Sequence, residues 1–170
     1  MTEQTMNRVA LLTGAAKRIG AETARVLHAS GMNIVLHHNA SADLANALAA
    51  ELNAVRAESV VTIGFDLKQI ERLPELAEKA AAAWGRIDLL VNNASTFYPT
   101  EMDQIDLTQW HDLIAVNLQA PLFLSQACSR FLREKSGSIV NIVDIHGDRP
   151  LKGYPIYSIA KAGLIAMTKS

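Results

Sequence analysis

The chain of 170 residues contains one cysteine, Cys128, and this scarcity excludes two kinds of site. A single thiol cannot form an intrachain disulfide, and it has no second cysteine with which to bind zinc. The opening stretch from Met1 to Asn7 also lacks the apolar core of a signal peptide. These features predict a cytoplasmic protein without a metal site.

The chain also lacks an excess of charge of either sign, since 16 basic side chains are balanced by 17 acidic ones. Binding to a nucleic-acid backbone requires clustered Lys and Arg, and no basic stripe is present. Long apolar runs are missing as well, because a stretch such as Ile87 to Val91 is far shorter than the ~20 residues that span a bilayer. We therefore expect neither a nucleic-acid partner nor a membrane partner.

What the chain does contain is a regular alternation of short apolar runs and longer segments of helical period. Its length predicts a single domain over 1–170, because about 100–200 residues usually form one domain. Continuous apolar strands are typical of a parallel sheet that is covered by helices on both faces. The sequence therefore predicts an α/β fold with a doubly wound, Rossmann-type parallel sheet, whose ligands bind at the carboxyl ends of the strands.

The spacing of apolar residues places the individual elements. Strands are predicted over 8–13, 33–38, 59–65, 87–92 and 138–143. Helices are predicted over 17–30, 42–56, 69–84 and 107–134, the last of them bent near Pro121, with a further helix from Pro155. Because that helix is still running at Ser170 with no closing strand, we expect a fragment whose remaining sheet edge is missing.

The first strand runs into the turn T-G-A-A-K-R-I-G, from Thr13 to Gly20. Glycines at such a turn let the backbone approach a phosphate, and the first N–H groups of the following helix favour an anion. A tight strand-to-helix turn without a ligand is the structural alternative. Arg18 stands where such loops often have another glycine. At this position a cation therefore replaces a residue that would let the backbone approach the phosphate closely.

The second strand ends in His37 and His38, and the first acid after it is Asp43. A carboxylate directly after this strand would accept hydrogen bonds from the adenosine ribose and repel a 2′-phosphate. Its absence, together with nearby Lys17 and Arg18, favours the phosphorylated dinucleotide NADP(H). A polar strand end that faces solvent is the alternative reading of the two histidines.

The third and fourth strands also end in polar residues. Asp66 is placed to accept a hydrogen bond from an adenine amino group, or to cap the helix that follows. The fourth strand ends in Asn92-Asn93-Ala94-Ser95, where asparagine side chains can join neighbouring loops. The small side chain of Ala94 would let a cofactor ribose pass close by.

Tyr157 and Lys161 are four residues apart on the last predicted helix and share a face. We expect the lysine charge to lower the pKa of the phenol from its ordinary value of about 10, so that the tyrosine can transfer a proton near neutrality. Asp144 follows the fifth strand. The structural alternative for this residue is a turn acid that caps the next loop.

With these residues identified, the sequence resembles the short-chain dehydrogenase/reductase family over its whole length. The matching features are T-G-A-A-K-R-I-G, N-N-A-S, Asn117 in the long helix and Y-S-I-A-K. Within that family it is most similar to the pteridine reductases. The distinguishing residues are Arg18, the His-rich end of the second strand with Ser41, the string N-N-A-S-T-F-Y-P-T, and aspartate at 144 where most members carry serine.

The resemblance implies NADPH-dependent reduction of a pterin or of a dihydrofolate-type substrate. It implies that Asp144, Tyr157, Lys161 and Asn117 are catalytic, with Lys161 also holding the nicotinamide ribose and Asn117 completing a water-linked proton relay. It implies substrate contacts from Arg18, Ser95, Phe97, Asp144 and Tyr157, with the Phe97 ring stacked on the pterin. The implied cofactor contacts are Gly14, Lys17, Arg18, Ile19, Gly20, His37, His38, Ser41, Asp66, Leu67, Asn93, Ala94, Ser95, Tyr157 and Lys161.

An acid at position 144 suits the reduction of a ring C=N bond, because the nitrogen must receive a proton. We expect Asp144 to be a carboxylic acid with a raised pKa that can deliver it. Two features depart from the family pattern. Ala40 stands where the subgroup often has a basic residue near the 2′-phosphate, and the chain lacks the strands and the substrate-covering loop that follow the catalytic helix in the family. Family enzymes usually form homotetramers. The alternatives are a carbonyl or 3-oxoacyl reductase of the same family and a non-catalytic dinucleotide-binding module.

Overall fold

Short strands alternate with helices along the chain in the order that the sequence predicts. The structure, a computed structural model, describes residues 7–170. The inference about a signal peptide, drawn from Met1 to Asn7, rests mainly on residues 1–6, which lie outside the described residues. The strands are β1 Val9–Leu12, β2 Asn33–His38, β3 Val60–Gly64, β4 Leu89–Asn92 and β5 Ser138–Asn141. The helices are α1 Arg18–Ala29, α2 Ala42–Val55, α3 Leu73–Ala82, α4 Leu107–Ile114, α5 Ala120–Glu134 and α6 Pro155–Lys169.

The strands form a parallel sheet in the order β3-β2-β1-β4-β5. The central strand β1 pairs with β2 on one side and with β4 on the other, so the strand order reverses at β1. Such a reversal opens a crevice at the carboxyl ends of the strands, where ligands of open α/β sheets bind. The predicted doubly wound parallel sheet is confirmed.

Alternate residues of β1 point to opposite faces of the sheet, and each face has its own apolar cluster. Val9 and Leu11 belong to a cluster with buried residues of α3 and α5. Ala10 and Leu12 belong to a second cluster with buried residues of α1 and α2. Helices therefore cover both faces of β1, which explains why its sequence is an unbroken apolar run.

The strand β5 departs from this pattern. Ser138, Ile139 and Val140 are exposed in the described chain, so the expected cover on both faces is incomplete here. The register of β5 against β4 is nevertheless well defined, because the side-chain amide of Asn92 donates to the Asn141 Oδ1 at 2.8 Å. This pairing aligns the ends of the two strands at the edge where the predicted site lies.

The predicted helix 107–134 is interrupted by one wide turn. Between α4 and α5, residues 115–119 form a π-helical turn. Proline has no N–H, and its ring crowds the carbonyl four residues earlier, so Pro121 favours a widened turn just before it. The interruption carries Asn117 and so positions a predicted site residue. Within residues 7–170, no helix is long and apolar enough to cross a membrane.

Leu48 and Leu44 lie one turn apart on α2 and offer a matched test of the core. Leu48 is 4% exposed, whereas Leu44 is 53% exposed. We expect Leu48→Ala to lower the free energy of unfolding by about 3 kcal/mol, since it leaves a cavity beneath the helix. Leu44→Ala should change it by about 0.5 kcal/mol or less. Urea unfolding measures both values, and equal losses would contradict this placement of α2.

Candidate active site

The loop after β1 and the first turn of α1 lie so close to the end of β4 that Gly14 and Gly20 have no room for a side chain. A Cβ on Gly14, whose φ is +62°, would lie 2.9 Å from the Ala94 Cα. A Cβ on Gly20 would lie 2.5 Å from the Gly14 carbonyl oxygen and 2.7 Å from the Asn93 Nδ2. The two glycines therefore keep the loop backbone close to the crevice.

Hydrogen bonds join the same loop to the segment after β4. The Thr13 hydroxyl accepts from the backbone N–H groups of Asn93 and Ala94, each at 3.0 Å. The Asn93 side-chain amide donates to the carbonyls of Thr13 at 2.9 Å and Gly14 at 3.1 Å. The asparagine after the fourth strand thus joins two neighbouring loops, as the sequence predicts.

A cavity of about 470 Å³ lies over this loop at the carboxyl ends of the strands. Lys17, Arg18, Ile19 and Gly20 line it, and the first turn of α1 opens onto it. Lys17 occupies the cap position of α1, its side chain makes no capping bond, and the first turn contains no acid. Unpaired N–H groups at such a helix end attract anions. The loop that contains Gly14 and the N-terminus of α1 fit the phosphates of a dinucleotide.

Arg18 has a φ of +53°, a left-handed conformation that glycine adopts at lower cost. The backbone at Arg18 is therefore strained. Such strain persists only where the surrounding structure imposes it. The side chain is exposed and lies at the cavity. It is thus available to a ligand as a charge.

The two histidines at the end of β2 are buried, with His37 1% and His38 9% exposed, so the solvent-facing alternative is wrong. The Nδ1 atom of His37 accepts from the Gly14 N–H at 3.2 Å, and its Nε2 donates to the Phe65 carbonyl at 2.9 Å. Burial lowers the pKa of His37 to about 4. A neutral His37 therefore supports the glycine loop, and both of its ring nitrogens are already engaged.

The far wall of the cavity is formed after β2 and β3. Ser41 occupies the cap position before α2, its side chain makes no capping bond, and it lines the cavity. The Asp66 Oδ1 accepts from the Lys68 backbone N–H at 3.0 Å and so stabilises a turn in the loop after β3. Asp66 does not cap the helical turn that follows, because the cap position of Ile70–Arg72 is Gln69. Asp66 also lines the cavity together with Leu67. The predicted residues of both strand ends thus share one wall.

Asn117 connects the segment after β4 to the helices. It is 1% exposed, and its Oδ1 accepts from the Ser95 hydroxyl at 2.7 Å. Its side-chain amide donates to the carbonyls of Thr96 and Leu113, each at 2.9 Å. These bonds fix the position of Ser95 beside the cavity, while participation in a water-linked relay stays a prediction.

Tyr157 on α6 and Asp144 after β5 are in direct contact. The Tyr157 hydroxyl donates to the Asp144 Oδ2 at 2.8 Å. The other carboxylate oxygen accepts from the His146 N–H at 3.0 Å and caps a short turn of 3₁₀ helix, Ile145–Gly147. Asp144 therefore makes both of the contacts considered for it, since one oxygen caps the turn and the other faces the phenol.

Lys161 is 3% exposed and lies one turn after Tyr157. Its Nζ donates to the Ile142 carbonyl at 2.8 Å and lies 5.7 Å from the centroid of the Tyr157 ring. Burial lowers the pKa of Lys161, and the charge of Asp144 acts in the opposite direction. The ammonium is thus held near the phenol by a strand-end carbonyl.

The protonation of this cluster differs from the prediction in two respects. Burial, followed by the hydrogen bond to Asp144 and its charge, raises the pKa of Tyr157 to about 12, where a lowered value was expected. The His146 N–H lowers the pKa of Asp144, where a raised value was expected. A carboxylate that accepts hydrogen bonds is stabilised in its charged form, and a phenol beside it keeps its proton. The proton between them therefore resides on Tyr157.

Phe97 is 52% exposed, so the alternative of ordinary burial is wrong for this residue. Its ring stacks on Tyr154 with centroids 4.6 Å apart and an interplanar angle of 6°. It meets the Tyr157 ring edge-on at 4.8 Å. One face of Phe97 is therefore occupied by a side chain of the protein. Tyr154 is absent from the predicted site, and its position three residues before Tyr157 was the available signal.

A family model for short chain dehydrogenases matches residues 8–170. The chain belongs to the short-chain dehydrogenase family. Members of this family are oxidoreductases that use nicotinamide dinucleotides and act on small molecules. The glycine loop, the Asn93 junction and the pair of Tyr157 with Lys161 all lie within the match.

Individual relatives of this short-chain dehydrogenase chain are reductases with different named substrates. Pteridine reductase 1 of Leishmania tarentolae is 36% identical, over 100% of this chain and 72% of its own length. A 3-oxoacyl-(acyl-carrier-protein) reductase of Synechocystis sp. is 35% identical, over 96% of this chain and 66% of its own length. The corresponding reductase of Staphylococcus epidermidis is 31% identical, over 97% of this chain and 68% of its own length.

Several residues that line the cavity escaped the sequence reasoning. They are Lys68, Thr96, Asp112 and Val116. A lysine in a loop and an aspartate on a helix are ordinary surface residues, so no local pattern distinguishes them. They reach the cavity of this short-chain dehydrogenase because α4 packs beside the loops after β3 and β4, which is a tertiary arrangement.

His37 should make stability depend on pH. Its folded pKa of about 4 lies below the usual 6.5, so only the unfolded chain binds the proton as pH falls between these values. We expect the free energy of unfolding to fall by about 3 kcal/mol from pH 7 to pH 4 because of this group. His37→Asn can still accept the Gly14 N–H and should remove most of that slope in urea titrations. The exposed His111→Asn is the control, and an unchanged slope in His37→Asn would contradict the assignment.

Proposed function

We propose that the protein is an NADPH-dependent reductase of a pterin or dihydrofolate-type substrate. The observation that carries the proposal is the hydrogen bond of 2.8 Å between the Tyr157 hydroxyl and the Asp144 carboxylate, beside the half-exposed ring of Phe97. Reducing a ring C=N bond requires a proton at nitrogen as well as a hydride at carbon. A carboxyl and phenol pair next to an aromatic surface suits that requirement.

The protein's own residues supply the proton. In the structure it lies on Tyr157, and Asp144 is the charged partner. Covering of the site by a flat heterocycle excludes water, and loss of hydration raises the pKa of a carboxyl group. Asp144 takes up a proton from solvent as the heterocycle binds and donates it to a ring nitrogen, and solvent protonates the carboxylate again after the product leaves. A reduced nicotinamide supplies the hydride when it is bound.

The neighbouring groups orient these two residues. Lys161 stabilises negative charge near Tyr157 while its own position is fixed by the Ile142 carbonyl. A hydrogen bond with Ser95, which is held by Asn117, acts to lower the pKa of the phenol. Arg18 at the cavity mouth is suited to the polar edge of a heterocycle or to a cofactor phosphate.

Phe97 is suited to stack on a pterin because its ring is half exposed and lies against the edge of Tyr157. The Tyr154 ring already stacks in parallel on Phe97, so this place has room for a flat ring at van der Waals distance. A pterin would therefore use the open face of Phe97 or take the place of Tyr154.

The preference for NADPH over NADH is supported by the charges of the far wall. No carboxylate follows β2 before Asp43, and the free hydroxyl of Ser41 lies at the N-terminus of α2. Lys17 and Arg18 add positive charge across the cavity. These groups favour a 2′-phosphate, although Ala40 contributes none of the charge.

A carbonyl or 3-oxoacyl reductase is the second candidate. It is favoured by the 35% identity with the Synechocystis reductase and by Tyr157 and Lys161, which serve a carbonyl oxygen equally well. Asp144 favours the first candidate, because a serine hydroxyl would suit a developing alkoxide better than a carboxylate does. This chain spans 66% to 72% of the length of its relatives, and assembly as a cytoplasmic homotetramer is part of the proposal.

Asp144→Asn tests the proposed reaction. We expect the purified protein to oxidise NADPH with 7,8-dihydrobiopterin or dihydrofolate, and the variant to lose about a hundredfold or more in kcat, since an amide cannot donate the proton. Because the acid form is required, kcat/KM should fall as pH rises. Asp148→Asn, an exposed change on the same loop, is the control.

The possible outcomes separate the candidates. Turnover of ketones or acyl thioesters alone, improved by Asp144→Ser, would replace the proposal by the second candidate. Binding of NADPH without turnover of any of these substrates would favour the non-catalytic dinucleotide-binding module. Both measurements use the decrease in nicotinamide absorbance, with binding followed separately by titration calorimetry.

Ala40→Arg tests the cofactor preference. A guanidinium after β2 can pair with a 2′-phosphate, so we expect the ratio of the NADH Kd to the NADPH Kd to rise about tenfold. Ala40→Gln has a similar length without the charge and should change this ratio by less than about twofold. A tighter NADH complex in Ala40→Arg would contradict the placement of the 2′-phosphate at this wall.

A further inference from the structure

Three polar side chains outside the predicted site form a chain along one side of the cavity. The Lys68 Nζ donates to the Asp112 Oδ1 at 3.1 Å, and the Tyr98 hydroxyl donates to the Asp112 Oδ2 at 3.2 Å. Lys68 belongs to the loop after β3, Asp112 to α4 and Tyr98 to the segment after β4. Lys68 and Asp112 both line the cavity, so this chain links two of its walls.

The pair of Lys68 and Asp112 differs from an ordinary surface ion pair. Its side chains are 48% and 29% exposed, and pairs of that exposure contribute little to folding stability. Here, however, both oxygens of Asp112 are engaged, so its carboxylate is held from two directions. The hydrogen bond to Asp112 raises the pKa of Lys68, which keeps the ammonium charged.

Tyr98 connects this carboxylate to the aromatic part of the site. Its ring packs against the apolar cluster in which Leu113 of α4 meets Ile156 of α6. It directly follows Phe97, whose ring contacts Tyr154 and Tyr157. The backbone that carries Phe97 is therefore tied to Asp112 through the Tyr98 hydroxyl.

We propose that Lys68, Asp112 and Tyr98 form a clasp that joins the walls of the dinucleotide cavity and sets the position of the Phe97 ring. The three are positioning residues, and they make binding of the flat heterocycle depend on the bound dinucleotide. The clasp orders the β3 loop and α4 before a ligand binds between them. Binding therefore costs less conformational entropy. The identity of the heterocycle rests on the proposed function.

Binding free energies at two linked sites are reciprocal, so the dependence can be measured from either ligand. Titration calorimetry gives the Kd of NADPH, and the Kd of 7,8-dihydrobiopterin with and without saturating NADP+, which carries no hydride to transfer to the dihydropterin. The ratio of the last two values is the coupling between the sites. Asp112→Asn and Tyr98→Phe are the test variants. Glu51→Gln is the matched control, since it breaks the Arg25–Glu51 pair that joins α1 to α2 away from the cavity.

Asp112→Asn should raise the Kd of NADPH about three- to fivefold and lower the coupling ratio by a similar factor. Tyr98→Phe should leave the Kd of NADPH within about twofold and weaken dihydrobiopterin only when NADP+ is present. Glu51→Gln should change none of these values. If the three residues served folding alone, their variants would lower the unfolding midpoint but would not affect NADPH and dihydrobiopterin differently. That result would overturn the clasp.

If Asp112→Asn does not fold, Lys68→Met removes the same ion pair from the half-exposed side. Unchanged Kd values and coupling in folded variants would overturn the clasp. If the wild type binds NADPH but no pterin, the proposed function fails, whereas the effect of Asp112→Asn on NADPH still decides whether the clasp joins the cavity walls. A wild type that binds no NADPH would overturn both proposals.

Discussion

The junction between the ends of β1 and β4 holds the site together. The Thr13 hydroxyl accepts two backbone N–H groups from the segment after β4, and the Asn93 amide returns two bonds to the loop after β1. The absence of a Cβ at Gly14 lets these backbones touch. The same short stretch after β4 continues into Ser95 and Phe97, so the glycine loop after β1 and the Phe97 ring share one support.

The second constraint is electrostatic. Tyr157 and Asp144 come from different elements, and their contact leaves one proton on the phenol and a charge on the carboxylate. Lys161 balances that charge from within the protein, because the Ile142 carbonyl holds its ammonium near the strand end. In the reaction proposed above, a substrate that covers the site would exclude water and so raise the pKa of Asp144.

The parts of the site that the sequence predicted are those governed by local pattern. Glycines after an apolar strand, a tyrosine four residues before a lysine, and an aspartate at a strand end are visible in the chain itself. His37 illustrates the limit of such reasoning. Its position at the end of a strand can be read from the sequence. Its hydrogen bonds to Gly14 and Phe65 cannot, because they join three separate segments of the chain. These bonds make His37 a buried, neutral support of the glycine loop. Asp112 was missed for the same reason, whereas Tyr154 could have been found from its position three residues before Tyr157.

The amino-acid sequence by itself determined the order of the strands and helices, the edge of the sheet at which ligands bind, and the family, since each depends on periodicity or on short motifs. Only the tertiary structure decided the charges. The pKa values of Tyr157 and Asp144 moved in directions opposite to those expected. Burial and the contact with Asp144 raise the pKa of Tyr157, whereas the His146 backbone N–H outweighs burial and lowers the pKa of Asp144. A pKa depends on every group within a few ångströms, and those groups come from parts of the chain that only folding brings together.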